Sequence, residues 1–301
     1  MKKIAVMIST YNGEKYLEEQ LDSIVNQDYK NLIIYIRDDG STDNTRKILE
    51  HYQSLDKRIQ LEFGENIGYC QSFFYMLKKI EADYYAFCDQ DDIWKREKLD
   101  VAVGDIENKQ INHFDTPILW FSNIDLCDAE MKLITSDHIK KFYTFENSLF
   151  TCAAPGMAMV INKRARDKII SQDVSSIKEH DFWVYRVCSA LGEIIYNEQS
   201  LVKYRRHGDN VSDYSYNFLQ RYYLGIKRLF FTDIYKNTKK EIILFGELYK
   251  NDLSQEKRKI IELFSDYHLK ARIAKVFFGK RLKDNLINEF LIRILLLFGG
   301  V

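Results

Sequence analysis

Over its first 110 residues the chain alternates short apolar runs with segments whose apolar positions return every three or four residues. Ile4 to Ser9 is an apolar run of strand length. Tyr16, Leu17, Leu21, Ile24 and Val25 then recur at helical spacing, with Glu14, Glu18 and Glu19 near the helix start, where the backbone dipole favours negative charge. The pattern predicts a second strand at Leu32 to Ile36, a helix over about Thr42 to Tyr52 and a third strand at Ile59 to Phe63. A loop at Gly64 to Gly68, a helix over Ser72 to Ile80 and a strand at Tyr84 to Cys88 follow. Such alternation predicts an α/β fold, a Rossmann-like and mostly parallel sheet flanked by helices, with right-handed crossovers. Ligands then belong at the carboxyl ends of the strands. Three polar loops stand there: Ser9-Thr10-Tyr11-Asn12-Gly13, Asp38-Asp39-Gly40-Ser41 and Asp89-Gln90-Asp91-Asp92.

Strands are also expected around Ile118 to Asn123, Gly156 to Ile161 and Ile194 to Asn197, with a helix over about Asp181 to Leu191. From Phe218 the pattern is helical to the end, without proline, and Lys and Arg are interleaved with Leu, Ile, Phe and Tyr. The expected organisation is therefore residues 1–217 as an α/β domain and residues 218–301 as a basic helical region.

Charge sharpens that division. The 301 residues carry 44 Lys plus Arg and 44 Asp plus Glu, so the whole chain lacks the basic bias of nucleic-acid binders. Up to Asn217 the net charge is −8, and beyond it +8. A content of 46% apolar and 14% aromatic residues excludes disorder. Five cysteines without C-x-x-C spacing suggest free thiols in a reducing compartment. Met1 to Ile8 is too short an apolar run for a signal peptide or a membrane span, and is taken as the first strand.

Asp89, Asp91 and Asp92 leave the end of one strand together, and charges gathered so closely repel unless a cation lies between them. Mg²⁺ or Mn²⁺ bridging a diphosphate answers this, because both ions keep several ligands from outside the protein. A solvated acidic turn, or a cap for a helix beginning near Trp94, is the plainer alternative. Asp38-Asp39-Gly40-Ser41 is ordinary turn chemistry taken alone. Beside it, however, Tyr11 offers a flat face for stacking, and a carboxylate at a strand end can accept from the imide of a pyrimidine base.

The series Ser9-Thr10-Tyr11-Asn12, Tyr16-Leu17, Leu21-Asp22-Ser23-Ile24, Asp38-Asp39-Gly40-Ser41-Thr42-Asp43, Asn66-Ile67-Gly68 and Asp89-Gln90-Asp91-Asp92-Ile93-Trp94 resembles the family 2 glycosyltransferases of the GT-A fold, over roughly Ile4 to Ser212. The resemblance implies that Asp39 contacts the base and that Thr10, Tyr11, Asn12 and Asn66 line the nucleotide pocket. It makes Asp89 and Asp91 the metal and diphosphate motif, with Asp91 the direct ligand. Glu179-His180-Asp181-Phe182-Trp183 is similar to the family's acidic motif, and Asp181 is then the general base of an inverting transfer. His180 stands where many relatives carry Glu, which leaves Glu179 as the competing base; a helix cap is the plainer reading of both. In Tyr204-Arg205-Arg206-His207-Gly208-Asp209-Asn210, Arg205 and Arg206 are candidate diphosphate contacts and His207 a candidate metal or diphosphate contact, although a loop histidine is often merely exposed.

Taken together, the motifs look like those of bacterial rhamnosyltransferases that build cell-wall or capsular polysaccharide. The implied activity is transfer of a sugar, L-rhamnose from dTDP-rhamnose first, to a glycan or lipid-linked glycan. A UDP-hexose donor and a non-catalytic nucleotide-sugar-binding subunit are the alternatives. A dinucleotide-dependent oxidoreductase is disfavoured, since no G-x-G-x-x-G follows the first strand. The basic helices suit either peripheral contact with an anionic membrane or homodimerisation, and a cytoplasmic place at the inner face of the plasma membrane follows from a lipid-linked acceptor.

Overall fold

The computed structural model describes residues 1–111, 115–137, 142–207 and 234–298. They group into two compact units, Met1–Lys141 with Ala153–His207, and Phe142–Cys152 with Gly208–Val301. The expected division at Asn217 lies outside the described residues. Phe142–Cys152, expected in the α/β part, belongs to the helical unit, where the Asn147 side-chain amide donates to the Leu282 carbonyl (2.8 Å) and Lys283 Nζ to the Phe150 carbonyl (2.6 Å).

Among its described residues the first unit has nine strands: β1 (Ile4–Thr10), β2 (Leu32–Asp38), β3 (Ile59–Phe63), β4 (Tyr84–Cys88), β5 (Ile93–Trp94), β6 (Ile118–Cys127), β7 (Leu133–Asp137), β8 (Met159–Asn162) and β9 (Glu193–Arg205). Their order is β3-β2-β1-β4-β8-β6-β9-β5, with β7 paired to β6. The run Ile4 to Ile8 has no exposed surface, as a strand with neighbours on both edges and cover on both faces requires. Ile59-Gln60-Leu61-Glu62-Phe63 alternates instead, and it forms the sheet's edge. The parallel pairing expected of the series holds through β3-β2-β1-β4. Beyond β4, antiparallel pairs β4–β8 and β8–β6 carry the sheet onward, and β6–β9 is parallel again.

The helices, in chain order, are α1 (Leu17–Val25), α2 (Thr45–Leu55), α3 (Tyr69–Lys79), α4 (Lys98–Gln110), α5 (Phe145–Ser148), α6 (Lys163–Ile170) and α7 (His180–Leu191); all but α5, which belongs to the helical unit, accompany the sheet. The expected strand from Gly156 begins instead as a single 3₁₀ turn, Gly156–Ala158, with β8 following. β9 runs on to Arg205, well past the expected end at Asn197, because irregularities opposite Ser122 and Asn123 absorb the polar Glu198 and Gln199 and let pairing resume. Helices Ile234–Leu248, Gln255–Ser265, Leu269–Val276 and Leu286–Phe298 form the described part of the second unit. Among the described residues no helix is long and apolar enough to cross a membrane.

Candidate active site

Strand register assembles the site. Thr10 pairs with Asp38, and Ile8 with Cys88, so the loops after β1, β2 and β4 leave the same edge at one level. The first two are laced together. Asn12, in a left-handed conformation (φ 48°) that Asn tolerates, donates its N–H to Ser41 Oγ (2.9 Å) and accepts the Thr42 N–H at Oδ1 (2.8 Å). Gly13 N–H reaches Thr45 Oγ1 (2.8 Å). From the third loop, Gln90 brackets Tyr11, its Oε1 accepting the Tyr11 N–H (2.8 Å) and its Nε2 donating to the Tyr11 carbonyl (3.1 Å). A Cβ at Gly13 would stand 2.4 Å from that amide oxygen, so the glycine makes the close approach available. With its backbone fixed this way, the Tyr11 ring stays 47% exposed, as a stacking platform must.

The two aspartates after β2 divide the work. Asp38 is wholly buried and accepts from Thr10 Oγ1 (3.2 Å), Ser41 N–H (3.0 Å), Ser41 Oγ and Arg46 Nε (3.0 Å), which makes it the knot of the turn. Asp39 accepts from the Arg37 guanidinium, from Ile67 N–H (2.9 Å) and from Gly68 N–H (2.7 Å), and so ties down the 64–68 loop. Arg37 in turn donates to Ser72 Oγ (2.8 Å) and the Glu65 carbonyl (2.9 Å). Asn66 is exposed at the loop's tip, its Oδ1 accepting from Gly68 N–H (3.2 Å).

The acidic loop is equally divided. Asp92 is completely buried, accepts the Arg205 N–H at Oδ1 (3.0 Å), and is held far above the usual carboxylate range by burial and by the Asp91 and Asp89 charges; it is a structural carboxyl. Asp91 is partly exposed, and its Oδ2 lies 2.8 Å from His207 Nε2, delivered by the end of β9. Burial, and then the neighbouring Asp91 and Asp181 charges, push the Asp89 carboxyl up to about 7. Asp181 stands in the first turn of α7, 92 positions later in the chain, and its Oδ1 accepts the Phe182 N–H (2.8 Å). Glu179 precedes the helix, is exposed, and accepts from Tyr69 Oη (2.6 Å).

Between them, His180 is turned into the core. Its ring stacks 4.3 Å from Phe73 and 5.3 Å from Phe87, with Tyr69 edge-on at 5.9 Å. Neither ring nitrogen has a hydrogen-bond partner, and burial pushes the imidazole down to about 3.

The two arginines also differ. Arg205 is 2% exposed, with Nε on the Asp91 carbonyl (2.9 Å), Nη1 on the Ala129 carbonyl (2.5 Å), Nη2 on Glu19, and its plane 4.5 Å over Tyr16. Where a diphosphate contact was expected, its three nitrogens serve the protein, and it anchors the backbone of Asp91. Arg206 is half-buried and, among the described residues, its side chain makes no hydrogen bond or ion pair; its N–H binds the Cys127 carbonyl (3.0 Å). Gly208 to Asn210 lie outside the described residues. Lys98, which no motif singles out, is buried with Nζ on the Met157 carbonyl (2.7 Å) and 3.1 Å above the Trp94 ring, and burial drives its amine well below its usual range.

Among the described residues no three or more His, Cys, Asp or Glu side chains could hold a metal by themselves. Asp91 and His207 are one pair of suitable donors, which fits an ion that takes its other positions from a diphosphate and water.

Comparison with known proteins agrees with this architecture. Residues 5–153 match the family model "Glycosyl transferase family 2". An uncharacterized glycosyltransferase of Haemophilus influenzae is 29% identical, covering 98% of this chain and 98% of its own. The dTDP-rhamnosyl transferase RfbG of Shigella flexneri is 28% identical over 73% of this chain and 79% of its own. Among solved structures, S. aureus TarS 1-349 in complex with UDP-GlcNAc superposes with a TM-score of 0.61 at 18% identity, covering 96% of this chain and 78% of that one, a likeness of fold.

Proposed function

From the match of residues 5–153 to the model of glycosyl transferase family 2, we propose that the chain is a metal-dependent inverting transferase of that family. It moves a sugar from a nucleotide-sugar donor to a growing, lipid-linked bacterial surface polysaccharide. L-Rhamnose from dTDP-rhamnose is the donor best supported, through the S. flexneri relative; a UDP-hexose is the alternative. The observation that carries the proposal is the pairing of Asp91, in the loop after β4, with His207 after β9 (2.8 Å), beside the stacking face of Tyr11 on the same edge of the sheet.

In this reading Tyr11 stacks on the base, Thr10, Asn12, Asp39 and Asn66 shape the nucleoside pocket, and Arg206 faces the diphosphate. Asp91 and His207 would hold Mn²⁺ or Mg²⁺, with Asp89 behind them. A cation bound there offsets the charge that develops on the departing diphosphate. Asp181 accepts the proton of the acceptor hydroxyl as that oxygen bonds to the anomeric carbon. The carbon–oxygen bond to the diphosphate breaks on the opposite face, the diphosphate keeps the electron pair, and configuration inverts. Arg205 is a positioning residue, acting through the backbone of Asp91.

The test is Asp181→Asn. A base active only in the transition state predicts a loss of turnover of about 10²-fold or more with donor affinity within about threefold of wild type. A comparable loss in both would reassign Asp181 to donor binding.

A further inference from the structure

In the second unit the Leu286–Phe298 helix is apolar on two opposite sides. Its inner stripe, Ile292, Leu295 and Leu296, is buried, while Leu286 (74%), Phe290 (64%) and Phe298 (71%) stand exposed on the other side. Its two charged residues do not interrupt the outer stripe. Glu289 is buried and accepts from the Leu282 and Lys283 N–H groups, and Arg293 is paired to Glu289 and to the carbonyls of Val276, Phe278 and Lys280. The preceding helix, Leu269–Val276, runs antiparallel beside it, since Arg272 reaches the Leu297 carbonyl (2.8 Å) and Arg293 that of Val276. It adds a second exposed stripe at four-residue spacing: Leu269 (64%), Ile273 (44%) and Phe277 (81%).

We propose that this helical hairpin is a docking surface for an anionic lipid bilayer, lying in the headgroup region with the Leu269–Phe277 and Leu286–Phe298 outer stripes inserted. Charge chooses the occupant. Of the seven Lys and Arg in residues 267–298, Lys275 is buried, Lys283 and Arg293 serve the unit's own carbonyls and Lys280 is paired with Glu146 and Glu256, which leaves Lys270, Arg272 and Arg281 against Asp284 once the buried Glu289 is set aside. Cations beside exposed Leu and Phe are what an interfacial helix needs, whereas a two-fold contact with a second copy would set these same cations against themselves. At 13 residues the longer helix lies on a membrane and does not cross it. The inference stands apart from the transfer chemistry and touches the proposed function only through the lipid-linked acceptor.

The experiment is co-sedimentation of the full chain with vesicles of phosphatidylcholine and phosphatidylglycerol (about 7:3) or phosphatidylcholine alone, for wild type and Phe277→Ser/Phe290→Ser. Donor hydrolysis, melting temperature and oligomeric state are measured on the same samples. Both side chains are exposed, so the double variant keeps its melting temperature and its donor hydrolysis. The expected result is binding to the anionic vesicles that falls at least tenfold in the variant and also falls in 0.5 M salt, an interfacial charge effect, with little binding to phosphatidylcholine. No affinity of wild type for anionic vesicles at low salt, or equal affinity of the variant, overturns it. Loss of an oligomer in the variant without a vesicle effect assigns the face to a second copy. Absent donor hydrolysis with intact vesicle binding counts against the transfer reading alone.

Discussion

Replacing His180 by Phe tests how the core beneath the acidic centre is built. In the native state the ring packs in a triangle with Phe73 and Phe87, has no hydrogen-bond partner, and is held neutral down to about pH 3. In the unfolded chain the same ring takes up a proton near pH 6.5. Below that pH the unfolded state binds the extra proton, so stability fully present above about pH 6.5 is lost as pH falls toward 3. With these two values the loss is about 2 kcal/mol at pH 5 and about 3 kcal/mol at pH 4, and at this chain length the loss at pH 5 lowers the melting temperature by roughly 3 °C relative to pH 7.5 from this one group. Phenylalanine is larger by somewhat more than a methyl group, but it keeps the aromatic contacts and leaves no donor or acceptor unmade, so its packing cost is the same at every pH. The assay is thermal melting of wild type and His180→Phe from pH 7.5 to pH 5. The difference between variant and wild type should shift by roughly 3 °C in the variant's favour between pH 7.5 and pH 5. Parallel pH profiles would refute the reasoning, because they would mean that the native imidazole protonates normally and therefore has a partner or water beside it.

Arg205→Lys keeps the charge but cannot span Asp91, Ala129 and Glu19, so two buried carbonyls lose donors; we expect a loss of about 2–4 kcal/mol in urea unfolding together with weakened metal activation, and wild-type behaviour would show that charge alone is used. Glu179→Gln keeps an oxygen for the Tyr69 hydroxyl, so turnover within about threefold of wild type is expected; a loss larger than that of Asp181→Asn in the same assay would move the base two residues earlier.

The strands that carry the site were legible because their side chains obey simple periodicities. Ile59–Phe63 and Tyr84–Cys88 fall where the apolar pattern sets them, and the loops after β1, β2 and β4 share one edge as parallel alternation requires. What was hidden depends on partners far apart in sequence. Glu19 and Arg205 are 186 positions apart, and nothing local marks the guanidinium as an internal clamp. Asp38 and Asp39 are indistinguishable as letters; only the buried Arg37 and the N–H groups of 67 and 68 decide what each holds. No sequence motif gives Gln90 a role, yet its amide fixes Tyr11. α4 was legible only as a helix beginning near Trp94, a turn too early, because Val101, Val103 and Gly104 blur the Leu99, Ala102, Ile106 stripe that it buries. The polar stretch after Asn197 hid the continuation of β9 that brings His207 to Asp91.

The pairing of Asp91 with His207 is the point on which the account of transfer turns, and the release of nucleoside diphosphate by wild type and Asp91→Asn, after chelation and then across a Mn²⁺ titration, tests it most directly. The account predicts wild-type release that falls to background with chelator and returns with Mn²⁺, and a variant at least 100-fold slower at every Mn²⁺ concentration with an unchanged melting temperature. Full wild-type release in the presence of chelator, or unchanged release by Asp91→Asn, would contradict it.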